Sequence, residues 1–327
     1  MTAPARPASI ATRAQHRSIG AGFALVVAAG VLWGINGPAA TLAVAHSDLS
    51  WAAVSALKLL FGGGIMLVLT VFTGELRAIP RTAEAWRHIL MTALLAAVYQ
   101  AAYFKSVALV GVAVATVVTL GAAPVAVALG GAIRHRRMPR PGVLLALSAS
   151  VLGLVLVSDH PGAASGAGAT VGGVALALVA GLAFAGTTVV NRRAVPGLTS
   201  SALIATGFTL AGVPLAIWAA FAGFDLPSAD AAAWVWIAVL ALVPTVIAYL
   251  AFFGGLQRGV PSTTAAILSL IEPLTATLLA VVMLHEGLTL LASAGIALLL
   301  LAVVLVHPRR AGEGAIVQPD DDPDAED

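Results

Sequence analysis

Hydrophobic positions in this chain do not alternate with polar ones; they run on. Between charged, proline-rich and glycine-rich interruptions lie ten nearly continuous apolar stretches, at residues 20–44, 51–73, 88–108, 112–133, 142–158, 170–191, 199–222, 232–255, 262–283 and 288–306. A helix rises about 1.5 Å per residue, so about 17 to 25 apolar residues cross the roughly 30 Å hydrocarbon layer of a bilayer. The pattern predicts an all-α integral membrane protein with ten transmembrane helices. The run at 142–158 is short for a span. Composition agrees: 60% of residues are hydrophobic and 10% charged, whereas a soluble domain carries about 25% charged residues.

Orientation follows from where the arginines fall, because Lys and Arg resist translocation while Asp and Glu matter little. With the N-terminus inside, the cytoplasmic segments hold Arg6, Arg13 and Arg17, then Arg77, Arg81 and Arg87, then Arg134, Arg136, Arg137 and Arg140, then Arg192 and Arg193, then Arg258, then Arg309 and Arg310. That is every arginine in the chain. The opposite loops (HSDLS, SDHPGAASGAGAT, FDLPSAD and the HEG turn) carry neither Lys nor Arg, apart from Lys105 near one outer end. An even number of spans with both termini cytoplasmic is expected. The formal charge of +2 is spread over short loops rather than gathered on one face, so nucleic acid is not an expected partner. With zero cysteines, disulfides, thiolate metal sites and cysteine nucleophiles are excluded. The first apolar run is too long for a signal-peptide core of roughly 7 to 15 residues and reads as a retained span. The acidic tail 307–327 reads as disordered.

Sliding the sequence against itself gives a match at an offset of about 150. GFALVVAAG (22–30) lies over GVALALVAG (173–181), and AYFKSVALVGVAVATVVTLGAAP (102–124) over AFFGGLQRGVPSTTAAILSLIEP (251–273). The chain therefore divides into a cytoplasmic segment 1–19, a first five-helix repeat 20–158, an outer linker 159–169, a second repeat 170–306 and the tail 307–327. Five is odd, so the second repeat enters the membrane from the opposite side. Inverted-topology repeats place a central cavity near the midplane and permit alternating access.

With LWGINGP (32–38), LKLLFGGG (57–64), the two repeated junctions, IEPLTATLLAVVMLHEGLT (271–289) and the closing GIALLLLAVVLV, the chain resembles the EamA-type branch of the drug/metabolite transporter superfamily over residues 18–308. The resemblance implies ten spans, cytoplasmic termini in a bacterial plasma membrane, and a cavity lined by spans one, three, four, six, eight and nine. It implies movement of small metabolites, most often outward. Lys58 stands where that family usually has arginine, and RHRRMPRPG in the first half replaces the family-like LHEGLT of the second.

Charge inside a span costs about 2.5 to 3.5 kcal/mol on insertion scales and tends to face a cavity. Two residues qualify, Glu272 and Lys58. Three roles stay open for Glu272: a ligand for an amine-bearing substrate, a proton site that would make protons the coupling ion, or an anchor to a neighbouring helix. Lys58 lies in the second span, which the resemblance places at the periphery, and this favours a structural role. Pro273 and its repeat equivalent Pro124 each remove a helical N–H and predict kinks. Trp33 and Asn36 flank a glycine in span one. Tyr99, Gln100 and Tyr103 share span three, and Tyr249 in span eight occupies the position equivalent to Gln100. Together these groups would line a mixed aromatic and hydrogen-bonding cavity suited to amino acids or similar metabolites.

No cofactor is expected: G-x-x-x-x-G-K-[ST], H-E-x-x-H and G-x-S-x-G are all absent, which leaves an ATP-driven pump or a membrane enzyme without support. A secondary transporter is the first expectation and a passive facilitator or channel the alternative.

Overall fold

The structure, a computed structural model, describes residues 8–136, 138–139, 141–157, 167–221, 230–284 and 290–305. The outer linker, the HEG turn and the acidic tail lie wholly or mostly outside these. Every described element is helical: α1 (Ala8–Trp33), α2 (Asn36–Ala45), α3 (Trp51–Phe72), α4 (Glu75–Ala78), α5 (Ala83–His135), α6 (Pro141–Val157), α7 (Ala167–Arg192), α8 (Ser200–Phe221), α9 (Ala231–Leu240), a π-helical segment Ala241–Ile247, α10 (Ala248–Gln257), α11 (Ser262–Leu268), α12 (Ile271–Leu284) and α13 (Leu290–Leu305). Six helical stretches are long and apolar enough to cross a membrane, and three shorter apolar stretches, Val118–Arg134, Pro141–Leu156 and Ser293–Ala302, accompany them. Leu90, Leu94, Val189 and Phe221 point outward, as expected where the surrounding medium is as apolar as the core.

Short polar residues start several helices. Ser50, Thr82, Thr199 and Asp230 accept hydrogen bonds from the backbone N–H of Ala53, Ala85, Ala202 and Ala233, satisfying donors that the first turn leaves orphaned. Helix α1 begins at Ala8, so most of the expected cytoplasmic segment 1–19 is helical. Its alanines, glutamine and arginines are good or tolerable helix formers.

The expected third and fourth spans appear as one uninterrupted helix, α5, which nevertheless doubles back. The hydroxyls of Tyr103 and Thr116 meet at 2.8 Å although they lie 13 positions apart; a straight helix would separate them by about 20 Å. Neighbours on α7 trace the reversal. His88 meets Asn191 and Ser106 donates to the carbonyl of Gly173; then Thr119 donates to Ala177, and Gly181 abuts Ala122. The chain descends α7 and climbs back.

Helix α1 repeats that arrangement in the other half. Gly22 packs against Gly255 and Val260, and Gly30 against Leu268 and Ile271, as Gly173 packs against Val110 and Gly181 against Thr119 and Ala122. These glycine pairs and their partners stand at the repeat offset, so the internal match is a match of packing as well as letters. At each site a Cβ would collide with the facing helix, which is why glycine is needed.

Equivalent helices of the two repeats run antiparallel. Along α3 and α8, Gly212 faces Leu60 and Gly63 faces Thr209, while Thr199 just before α8 donates to Glu75 just after α3. The halves are inverted.

Candidate functional site

Three helix interruptions meet at one depth. Between α1 and α2 the chain makes a turn at Gly34–Ile35; α9 passes into the π-helical segment around Pro244; and α11 and α12 are separated at Ser269–Leu270. Pro244 has no N–H for the carbonyl of Leu240, and the hydroxyl of Thr245 supplies the missing donor at 2.7 Å. The carbonyl of Pro244 in turn accepts from the indole N–H of Trp33 at 2.9 Å. Pro273 sits in the first turn of α12, where a missing N–H is tolerated. Glu272 lies beside it, with its carboxylate at the positive end of a half-helix dipole. The sequence expectation of a disruption before Pro273 is thus met at Ser269–Leu270. Pro124, by contrast, lies inside α5 without interrupting it.

A narrow, largely closed cavity of about 20 Å³ lies among these interruptions. Trp33, Asn36, Lys58, Tyr99, Leu120, Phe184, Pro244, Tyr249 and Glu272 line it. Six of the polar and aromatic candidates from the sequence therefore come together. Lys58 is not peripheral: it is only 9% exposed, and its ammonium donates to the side-chain oxygen of Asn36 at 3.1 Å. The cavity holds one cationic and one anionic side chain, yet among the described residues the one ion pair joins His46 to Asp230 elsewhere.

The walls are aromatic. The Trp33 ring lies edge-on to Tyr249 at 5.1 Å and to Phe184 at 5.8 Å, and Tyr99 stacks on Tyr103 at 6.0 Å; such geometries suit the ring quadrupoles. Two candidates do not line the cavity. Tyr103 is one layer back and is held by Thr116, and Gln100 is buried away from the opening at 5% exposure. Sequence reasoning missed Leu120, Pro244 and Phe184. Phe184 carried a usable signal, since it occupies the repeat position of Trp33, and Pro244 was visible as a proline within an apolar run.

Inverted repeats of apolar helices enclosing an aromatic-walled cavity with one cationic and one anionic side chain define a membrane transport protein fold. The EamA-like transporter family model matches residues 20–159 and 171–307, both repeats, and the chain belongs to that family. An uncharacterized transporter of Bacillus subtilis (strain 168), YwfM, is 32% identical over 291 residues, spanning 87% of this chain and 94% of its own. One solved crystal structure matches with a TM-score of 0.73 at 20% identity, over 89% of this chain and 98% of that one; it shares the fold.

Proposed function

We propose that the protein is a ten-span secondary transporter of a bacterial plasma membrane, with both termini cytoplasmic, that exports small metabolites by alternating access. The substrate class that fits best is an amino acid or a similar zwitterion. The observation that carries this is the presence of Lys58 and Glu272 in one cavity without an ion pair between them. Opposite charges held apart in a low-dielectric site offset each other only in part, and a ligand bearing an ammonium and a carboxylate completes the compensation of both. The aromatic walls of Trp33, Tyr99, Phe184 and Tyr249 accept an apolar side chain. Glu272 takes the amine and Lys58, steadied by Asn36, takes the carboxylate; protons are the candidate coupling ion through Glu272.

The test compares metabolites released by cells that make the protein with those from cells that lack it, followed by counterflow in liposomes with and without a proton gradient. Export of amino acids that Glu272→Gln abolishes supports the assignment. Downhill movement alone, insensitive to the gradient, would point to a passive facilitator, and release of a purely anionic metabolite would remove the zwitterion reading.

A further inference from the structure

A second hydrophobic core, separate from the main one, sits at the end of the bundle that bears no arginine. It joins Ala39, Ala40 and Ala43 of α2, Ala52, Ala53, Val54 and Leu57 of α3, Ala219 of α8, and Ile237 and Leu240 of α9. Two of its four helices come from each repeat. His46 and Asp230 bridge it at the surface, ring nitrogen to carboxylate at 3.1 Å, and the backbone N–H of Asp230 also donates to the carbonyl of His46 at 3.3 Å.

Each of the four helices that feed this small core is weakened about one turn inside it. Helix α2 follows the Gly34–Ile35 turn, and α9 leads into the π-helical segment with Pro244. Helix α3 carries Gly62, Gly63 and Gly64 just after Leu57, and α8 carries Pro214 just before Ala219. The four weak points share one level. Trp33 bonds to Pro244, Gly62 abuts Ala241 and Thr245, Gly63 abuts Thr209, and Gly212 abuts Leu60. Helices bend at prolines, at glycine clusters and at π-bulges, so this level is the softest in the bundle, and the cavity lies directly at it.

We propose that α2, the first two turns of α3, the last turn of α8 and α9 form one rigid lid that crosses the repeat boundary and tilts about this level to open the cavity to the arginine-free face. Rocking of whole repeats would instead tear α2 from α9 and expose the second core to solvent. Bending at four prepared points leaves that core intact. The lid goes beyond the substrate assignment and does not depend on which metabolite is carried.

The natural chain has no cysteine, so introduced thiols report without background. The test uses Leu120→Cys, in the cavity wall, labelled in right-side-out vesicles by a membrane-impermeant maleimide. Into this background are placed Gly64→Ala, whose Cβ meets nothing within 4 Å, together with Pro214→Ala, which restores a helical N–H on an exposed face. Stiffening these two helices is expected to slow labelling at least about threefold, the effect of 0.7 kcal/mol or more on the opening equilibrium, within the range by which Ala exceeds Gly in a helix. In a parallel arm, His46→Cys with Asp230→Cys is oxidised; the paired backbones are close enough for a disulfide. Labelling of Leu120→Cys is expected to persist, because the bridge lies within the lid. Unchanged labelling after stiffening overturns the hinge, and labelling abolished by the disulfide and restored by reductant shows instead that the repeats part between α2 and α9. The second arm decides alone if the stiffened variant does not fold.

Discussion

The indole N–H of Trp33 donates to the backbone carbonyl of Pro244 at 2.9 Å, so a residue at the end of one broken helix is tied to the centre of the π-helical segment from the other repeat. Replacing Trp33 with Phe keeps a ring against Tyr249 and Phe184 and deletes only the donor. The buried carbonyl then lacks this partner, at a cost of about 1–3 kcal/mol. The unfolding temperature in detergent should fall by about 3 °C or more, which differential scanning fluorimetry would detect; an unchanged temperature would mean that the bond adds nothing.

Lys58 and Glu272 predict a non-additive pair. Lys58→Met leaves Glu272 as an uncompensated charge in the cavity and takes the donor from Asn36, whereas Lys58→Met with Glu272→Gln leaves no net charge there. Removing one member of a buried charged set is commonly worse than removing both. The double variant should be more stable than Lys58→Met by about 1 kcal/mol or more, while all three variants lose export at least about tenfold. Thermal unfolding and liposome counterflow on the same preparations check both halves; equal stabilities for single and double variants would show that the two charges do not feel each other.

Two glycines, Gly34 in the turn between α1 and α2 and Gly64 in α3, predict opposite outcomes from one substitution. A Cβ on Gly34 would collide with the side chain of Thr275 and the backbone of Ala276, whereas a Cβ on Gly64 would meet nothing. Gly34→Ala should cost about 1–3 kcal/mol of overpacking, and Gly64→Ala should be neutral or stabilising. The comparison is read from unfolding temperatures.

Much of this arrangement was legible before any coordinates. The offset of about 150 marked Gly22 with Gly173 and Gly30 with Gly181, and these make equivalent contacts with the facing helices. Charge avoidance in the spans singled out Glu272 and Lys58, and both face the cavity. The neighbours of each helix face escaped. The resemblance places the second span, and with it Lys58, at the periphery, and a sequence does not show which neighbour covers a given helix face, whereas the structure turns Lys58 into the cavity. The break between Trp33 and Asn36 brings Asn36 to its ammonium. The reversal within α5 was legible as a boundary: one apolar run ends at residue 108 and the next begins at 112, with Gly111 between them, and the Tyr103–Thr116 contact shows the chain folding back across that stretch. Tyr103 and Gln100 illustrate the limit of spacing arguments, since one helical step separates lining the cavity, as Tyr99 does, from packing behind it.

Asp230 gives a prediction with a definite pH window. Its carboxylate accepts from the N–H of Ala233 at 2.9 Å at the start of α9 and faces the ring of His46 at 3.1 Å. The Ala233 hydrogen bond first, and the histidine second, hold the carboxyl below the usual carboxylate range. A group whose folded-state pKa is depressed binds its proton more readily when unfolded, so its stabilising contribution is fully present above the unfolded value of about 3.9 and disappears as pH falls through the lower folded value. Asp230→Ala should therefore unfold at lower temperature than the natural protein at neutral pH, with the gap narrowing below about pH 4 toward the one that separates Asp230→Asn from Asp230→Ala. Asp230→Asn, which keeps a capping oxygen but no charge, should fall between the two at neutral pH. Salt should narrow the difference between Asp and Asn, because both partners are solvent-exposed at 43% and 56% and such pairs are screened, and it should leave the loss in the alanine variant largely in place. Unfolding temperatures of the three proteins across pH 3 to 8 at two salt concentrations separate capping from charge; a gap between Asp230→Ala and the natural protein that persists unchanged at the acidic end would show that the lost contribution is packing rather than the carboxylate.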